Sequence, residues 1–131
     1  MTGGAAAVIS GKALEMQVQL LAESLGLETK SQLRVGRRIW GAERKIDLIL
    51  RDQTGRRLGV ECKYQGSTGT AEEKIPAVIK DIAAWPIDGL VVFHGDGFSA
   101  NMKAFLLSTG KAIELADLTT WLQLYFGLEI P

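Results

Sequence analysis

Residues 45–64, KIDLILRDQTGRRLGVECKY, decide the fold. Two strands can be read in them. Along 45–51, Ile46, Leu48 and Leu50 alternate with Asp47 and Ile49, the period of two of a strand with one buried face. Along 57–64, Leu58, Val60 and Cys62 alternate with Glu61 and Lys63. Between them, Asp52-Gln53-Thr54-Gly55 has the residue types of a tight turn. A hairpin is therefore expected, with Asp47 beside Glu61. Glu61 and Lys63 stand two residues apart on one strand, so they share a face at about 6.6 Å. Val60 and Cys62 point the other way, into the core.

This arrangement brings two carboxylates and an ammonium to one edge of a small sheet. Adjacent carboxylates repel unless a cation sits between them. Oxygen donors with places left for water suit Mg²⁺ or Mn²⁺. A neighbouring lysine can orient or help deprotonate a water, or stabilise charge developing on a phosphate. These are the groups needed to hydrolyse a phosphodiester. The Glu-x-Lys triplet alone carries little weight, because charge alternation on a half-exposed strand produces it often. Asp47 on a strand of its own, the shared face and the order of the surrounding elements add the weight.

Outward from the hairpin, Leu14, Val18, Leu21 and Leu25 recur at helical spacing, which predicts a helix over 11–25 stopped by Gly26. Residues 32–40 predict a less regular strand. After the hairpin, QGSTGT at 65–70 is a loop. Thr70 and Glu73 form a capping box for a helix over 71–85. Pro76 falls inside that helix, where it would kink it. Residues 88–94 predict a buried strand, 99–109 a short helix, 111–115 a short strand and 118–126 a last helix. The expected order is α, β, β, β, α, β, α, β, α, an α/β chain with one mixed sheet flanked by helices.

The pattern Ile46-Asp47, followed after thirteen intervening residues by Glu61-Cys62-Lys63, resembles the PD-(D/E)XK nuclease superfamily, the restriction-endonuclease-like fold. Its αβββαβ core is similar to the order read over residues 11–94; the helix-strand-helix after it would be a C-terminal extension. The resemblance implies that Asp47 and Glu61 bind the metal and that Lys63 is the catalytic lysine. It implies a further acidic ligand from the first helix, with Glu15 the first candidate and Glu23 the second. Gln65 would face the same side as Lys63 and touch water or substrate, and Lys74 could approach phosphate. Where the family usually has proline before the first aspartate, this chain has Ile46.

The chain has 131 residues, the size of one domain, and residues 1–10 are expected to be flexible. Net charge is zero, but it is uneven: residues 1–65 carry eleven Lys or Arg against seven Asp or Glu, and residues 66–131 carry four against eight. That disfavours a protein that coats a polyanion in bulk and permits a local anion-binding face. Arg34, Arg37, Arg38, Arg44 and Lys45 surround Asp47 in sequence and are candidates for DNA-backbone contact; otherwise they would be solvated charges guarding an edge strand. No motif for base readout is present, so sequence specificity is not expected. The single cysteine, Cys62, excludes an internal disulfide framework and reads as a buried apolar residue. His94 with Asp96 could ligate a metal, but a histidine ending a strand at a tight turn is the simpler reading. Trp40, Trp85 and Trp121 read as core or interface, and the apolar cluster 121–126 as core or, otherwise, a dimer contact.

A cytoplasmic Mg²⁺-dependent endodeoxyribonuclease is the expectation, with no membrane segment and no signal peptide. One active site per chain makes a homodimer or higher homo-oligomer the expected form on a duplex. The alternatives are a non-catalytic DNA-binding or assembly module on the same fold, and an unrelated α/β domain with a coincidental charge pattern.

Overall fold

A computed structural model of the chain describes residues 10–37, 43–66 and 75–128. The described elements are α1 (Gly11–Ser24), β1 (Glu28–Arg37), β2 (Glu43–Arg51), β3 (Arg57–Tyr64), α2 (Ile75–Ala83), β4 (Gly89–His94), α3 (Ala100–Ser108), β5 (Ala112–Glu114) and α4 (Leu118–Phe126), with a 3-10 turn at Leu115–Asp117 before α4. The five strands form one sheet in chain order, β1-β2-β3-β4-β5. β1–β2 and β2–β3 are antiparallel. β3–β4 and β4–β5 are parallel. The expected αβββαβ core and its helix-strand-helix extension are both present.

The sheet is the middle of three layers. On one side, Leu14, Val18 and Ala22 of α1 and Leu118, Leu122 and Phe126 of α4 pack on Leu48, Leu50, Leu58, Val60, Cys62, Leu90 and Val92. On the other side, Ile75 and Ile82 of α2, Trp85, and Leu106 of α3 pack on Ile46, Val91 and Phe93. Burial of each large apolar side chain contributes about 1.5–3 kcal/mol. α1 starts where the Ser10 hydroxyl accepts the Ala13 N–H at 3.0 Å. It ends before Gly26, whose φ of +86° suits glycine. The β2–β3 turn is held by Asp52, whose Oδ1 accepts the N–H groups of Thr54 and Arg56, each at 2.9 Å.

The parallel β3–β4 pair needs a crossover, and α2 supplies it. Gly59 and Gly89 are register partners on these strands. The Trp85 indole lies over both: an added Cβ at Gly59 would meet the ring at 2.7 Å, and one at Gly89 at 2.8 Å. The two glycines make the floor on which Trp85 closes this layer.

Two expectations change. The first strand begins at Glu28, four residues before the expected start at 32, because a left-handed residue at Gln32 and a register shift between Arg34 and Gly36 blur its alternation; residues 38–40 lie outside the described residues. Ile46 does not share a face with Leu48 and Leu50; it packs with Ile49 under α2 and α3. Pro76 is the second described residue of α2, and residues 71–74 of the predicted helix lie outside the described residues. The capping box of Thr70 and Glu73, and Trp40, lie outside the described residues.

Candidate metal and nuclease centre

The centre forms where β2 and β3 part. Their ladder pairs Arg51 with Arg57, Leu50 with Leu58, Ile49 with Gly59 and Leu48 with Val60. There it stops. One residue further, the Asp47 carboxylate takes the place of a backbone acceptor: its Oδ2 accepts the Cys62 N–H at 2.9 Å. Asp47 is thus fixed to the strand that carries Glu61 and Lys63.

On β3 the alternation holds as expected. Val60 and Cys62 enter the α1–α4 core, while Gly59 faces Trp85 on the other side. Glu61 and Lys63 share the parity of Gly59 and stand on the α2–α3 face of the sheet. Lys63 Nζ is 3.6 Å from Glu61 Oε2, with the Glu61 side chain 15% exposed and that of Lys63 37% exposed. Glu61 Oε1 is buried and has no hydrogen-bond partner. Its nearest acidic neighbour is Asp47, and two carboxylates can satisfy each other only through a shared proton or a cation. Burial above all, then the Asp47 charge and contact, push the Glu61 carboxyl up to about 8, against the pull of Lys63. The Cys62 thiol is also pushed up, by burial and then by Asp47, Glu15 and Glu61, so it is an inert core group.

A family model for the PD-(D/E)XK nuclease superfamily domain matches residues 6–123. The chain belongs to the PD-(D/E)XK nuclease superfamily. Among solved structures, a protein of unknown function, AF1548, superposes with a TM-score of 0.53 at 21% identity, covering 76% of this chain and 55% of that one. That likeness shows the shared fold. A repair endonuclease from Pyrococcus abyssi gives a TM-score of 0.43 at 12% identity over 84% of this chain and 50% of its own. EndoMS, in a complex with dsDNA, gives 0.40 at 15% identity over 83% and 47%. The chain spans about half the length of these structures. No curated protein matches it significantly.

The remaining sites expected of this PD-(D/E)XK chain fall into three groups. Glu15, on α1, is half-buried and lies close enough to Asp47 and Lys63 to feel both; burial first and Asp47 second raise its pKa. It is also held from β1, where Gln32 Nε2 donates to Glu15 Oε1 at 3.2 Å. Glu23 binds Thr29 at 3.0 Å instead. Among the described residues no three His, Cys, Asp or Glu side chains stand close enough to make a ready-built metal cluster. The donor set still fits a hard cation of the Mg²⁺ kind, which needs only one or two carboxylates and keeps several waters. The unpartnered oxygen of Glu61, whose carboxyl is in contact with Asp47, is the observation that fits it.

Gln65 is built into the fold. It is buried, and its Nε2 donates to the Gly97 carbonyl at 2.7 Å while its own carbonyl accepts the Gly97 N–H at 2.8 Å. Gly95, at φ +121°, backs onto the Gln65 carbonyl with no room for a Cβ. The Gly-Asp-Gly turn is therefore docked by Gln65. The amide Oε1 of Gln65 stays buried and unpaired.

The basic residues divide differently from expectation. Arg44 is an ion-pair partner of Asp81 on α2, Nε to Oδ1 at 3.0 Å, and clamps β2 to that helix. Arg34 and Lys45 are register partners on β1 and β2, both engaged with neighbours. Arg38, Lys74 and the Arg37 side chain lie outside the described residues. Sequence reading missed Lys30, Arg51 and Arg57. With Glu28, Ile49 and Leu33 they line an open cleft of about 430 Å³ on the sheet, where Arg51 Nη1 stands 3.8 Å from Glu28 Oε2. Lys30 pairs with Ile49, and Arg51 pairs with both Glu28 and Arg57, so all share the face of Glu61 and Lys63. Arg57 and Arg51 lie four residues from Glu61 and Asp47, about 13 Å along their strands. Their shared parity with the acidic pair was the signal in the sequence. Among the described residues no helix is long and apolar enough to cross a membrane.

Proposed function

We propose that this chain is a metal-dependent nuclease that hydrolyses phosphodiester bonds in DNA. The Glu61 carboxyl, in contact with Asp47, with one oxygen buried and unpartnered and the other 3.6 Å from Lys63 Nζ, carries the reading. Asp47 and Glu61 would hold Mg²⁺ or Mn²⁺, with Glu15 contributing from α1. The bound cation supplies charge against the phosphate oxygens and acidifies nearby water. Lys63 orients the attacking water and balances charge that builds on the phosphate. Gln65 secures the end of β3 that carries Lys63. Lys30, Arg51 and Arg57 hold the backbone of the substrate away from the cut, helped by Arg34, Lys45 and the arginines that precede β2. A homodimer would bring two such centres to the two strands of a duplex.

The test is a low-salt panel of linear, supercoiled, single-stranded and branched DNA with Mg²⁺, Mn²⁺ or EDTA. Cleavage that needs metal and is lost in Lys63→Ala supports the proposal. A folded parent chain that binds DNA, takes up no metal and cuts nothing would make it a non-catalytic binding module.

A further inference from the structure

Among the described residues Gln32 alone combines a side chain beyond hydrogen with a positive φ, +56°. Ordinary side chains rarely adopt that backbone conformation, and outliers of this kind gather at functional sites. Its place in the register is specific. Ser31 pairs with Leu48 and Leu33 with Ile46, so Gln32 stands across from Asp47. Both strands change their alternation here. Leu33 pairs with Ile46 and Lys30 with Ile49, and Ile46 and Ile49 pack under the same face although three residues apart. The Gln32 amide reaches α1 and donates to Glu15 Oε1 at 3.2 Å.

We propose that Gln32 is a positioning residue for the metal-binding carboxylates. Its left-handed backbone stands across from Asp47, and its amide holds one Glu15 oxygen so that the other stays available to a cation held by Asp47. A neutral donor suits this task. A lysine or arginine there would compete with the metal for the carboxylates, and an acid would add repulsion. The inference rests on the proposed metal-binding role of Asp47, Glu61 and Glu15.

The experiment compares the parent with Gln32→Gly and Gln32→Ala by Mn²⁺ calorimetry and by thermal unfolding in EDTA. Glycine removes both the amide and the strain, and alanine removes the amide alone. Both variants are expected to bind Mn²⁺ roughly tenfold more weakly, at the lower end of outer-shell effects. In EDTA, Gln32→Gly melts at or above the parent and above Gln32→Ala. In a Glu15→Gln background, Gln32→Gly causes no further loss of Mn²⁺ affinity, the mark of one residue acting through the other. A parent that binds Mn²⁺ with both variants binding equally well overturns this inference alone. A parent that binds no Mn²⁺ overturns the metal reading and this inference with it.

Discussion

The Asp47 carboxylate replaces a backbone carbonyl in holding the Cys62 N–H, at 2.9 Å, where β2 and β3 separate. One side chain thus does two jobs that different substitutions can separate. Asp47→Asn keeps an acceptor for Cys62 and loses the charge. It is expected to melt close to the parent and to lose metal-dependent cleavage by about 100-fold or more, on the order of an outer-shell loss or greater. Asp47→Ala loses both and should also cost about 1–3 kcal/mol of stability, since a part-buried N–H is left unpaired. Denaturant melts beside cleavage rates check both.

The raised carboxyl of Glu61 gives a pH signature. Between its ordinary value of 4.5 and about 8, the folded chain holds a proton that the unfolded chain has released. Its contribution to stability is fully present below 4.5 and lost as pH rises through about 8. Glu61→Gln stays neutral throughout. In EDTA it is expected to match the parent near the bottom of that range and to be more stable above its top, by on the order of 1–3 kcal/mol. Thermal melts across pH decide it; a difference independent of pH would remove Glu61 as the group responsible.

If the cleft lined by Lys30, Arg51 and Arg57 carries the DNA backbone, Arg57→Gln weakens binding without changing which sequences are bound. The slope of log affinity against log salt becomes shallower by about one for each phosphate that is no longer neutralised. Arg44→Gln breaks the pair with Asp81 and is expected to alter stability with little change in that slope. Fluorescence titrations across a series of salt concentrations distinguish the two.

Gly59→Ala tests the floor beneath Trp85. The added methyl would meet the indole at 2.7 Å. Overpacking of that kind costs about 1–3 kcal/mol. Pairing it with Trp85→Phe, a smaller ring, should recover part of the loss, which a double-mutant cycle in urea measures.

Much of this was legible in residues 45–64. Plain alternation gave β3 its observed bounds and placed Glu61 and Lys63 opposite Val60 and Cys62, because a strand buried on one face cannot slip by one residue. The last helix, over 118–126, was equally readable. What escaped was non-local or irregular. Nothing near Arg44 points to Asp81, which lies 37 residues away. The left-handed backbone at Gln32 has no marker, since glutamine is not a residue that favours it. That kink shifted β1 and sent Ile46 to the other face. Glu15 was readable as a candidate only through the family, and its tether to Gln32 belongs to the packing of α1 on β1.

Strand order and chain order coincide in this sheet. Among the described residues, β1, β2 and β3 carry eight Lys or Arg against four Asp or Glu, while β4 and β5 carry Glu114 as their one Asp, Glu, Lys or Arg, so the basic excess lies at the β1 side of the sheet. A molecule with no net charge acquires a lateral dipole across the width of its sheet. A polyanion nearing it experiences a torque as well as an attraction, turning the β1–β3 face inward and the β5 edge away before any contact forms. Orientation is settled on approach, and dissolved salt weakens that guidance over a distance of about 10 Å at 0.1 M.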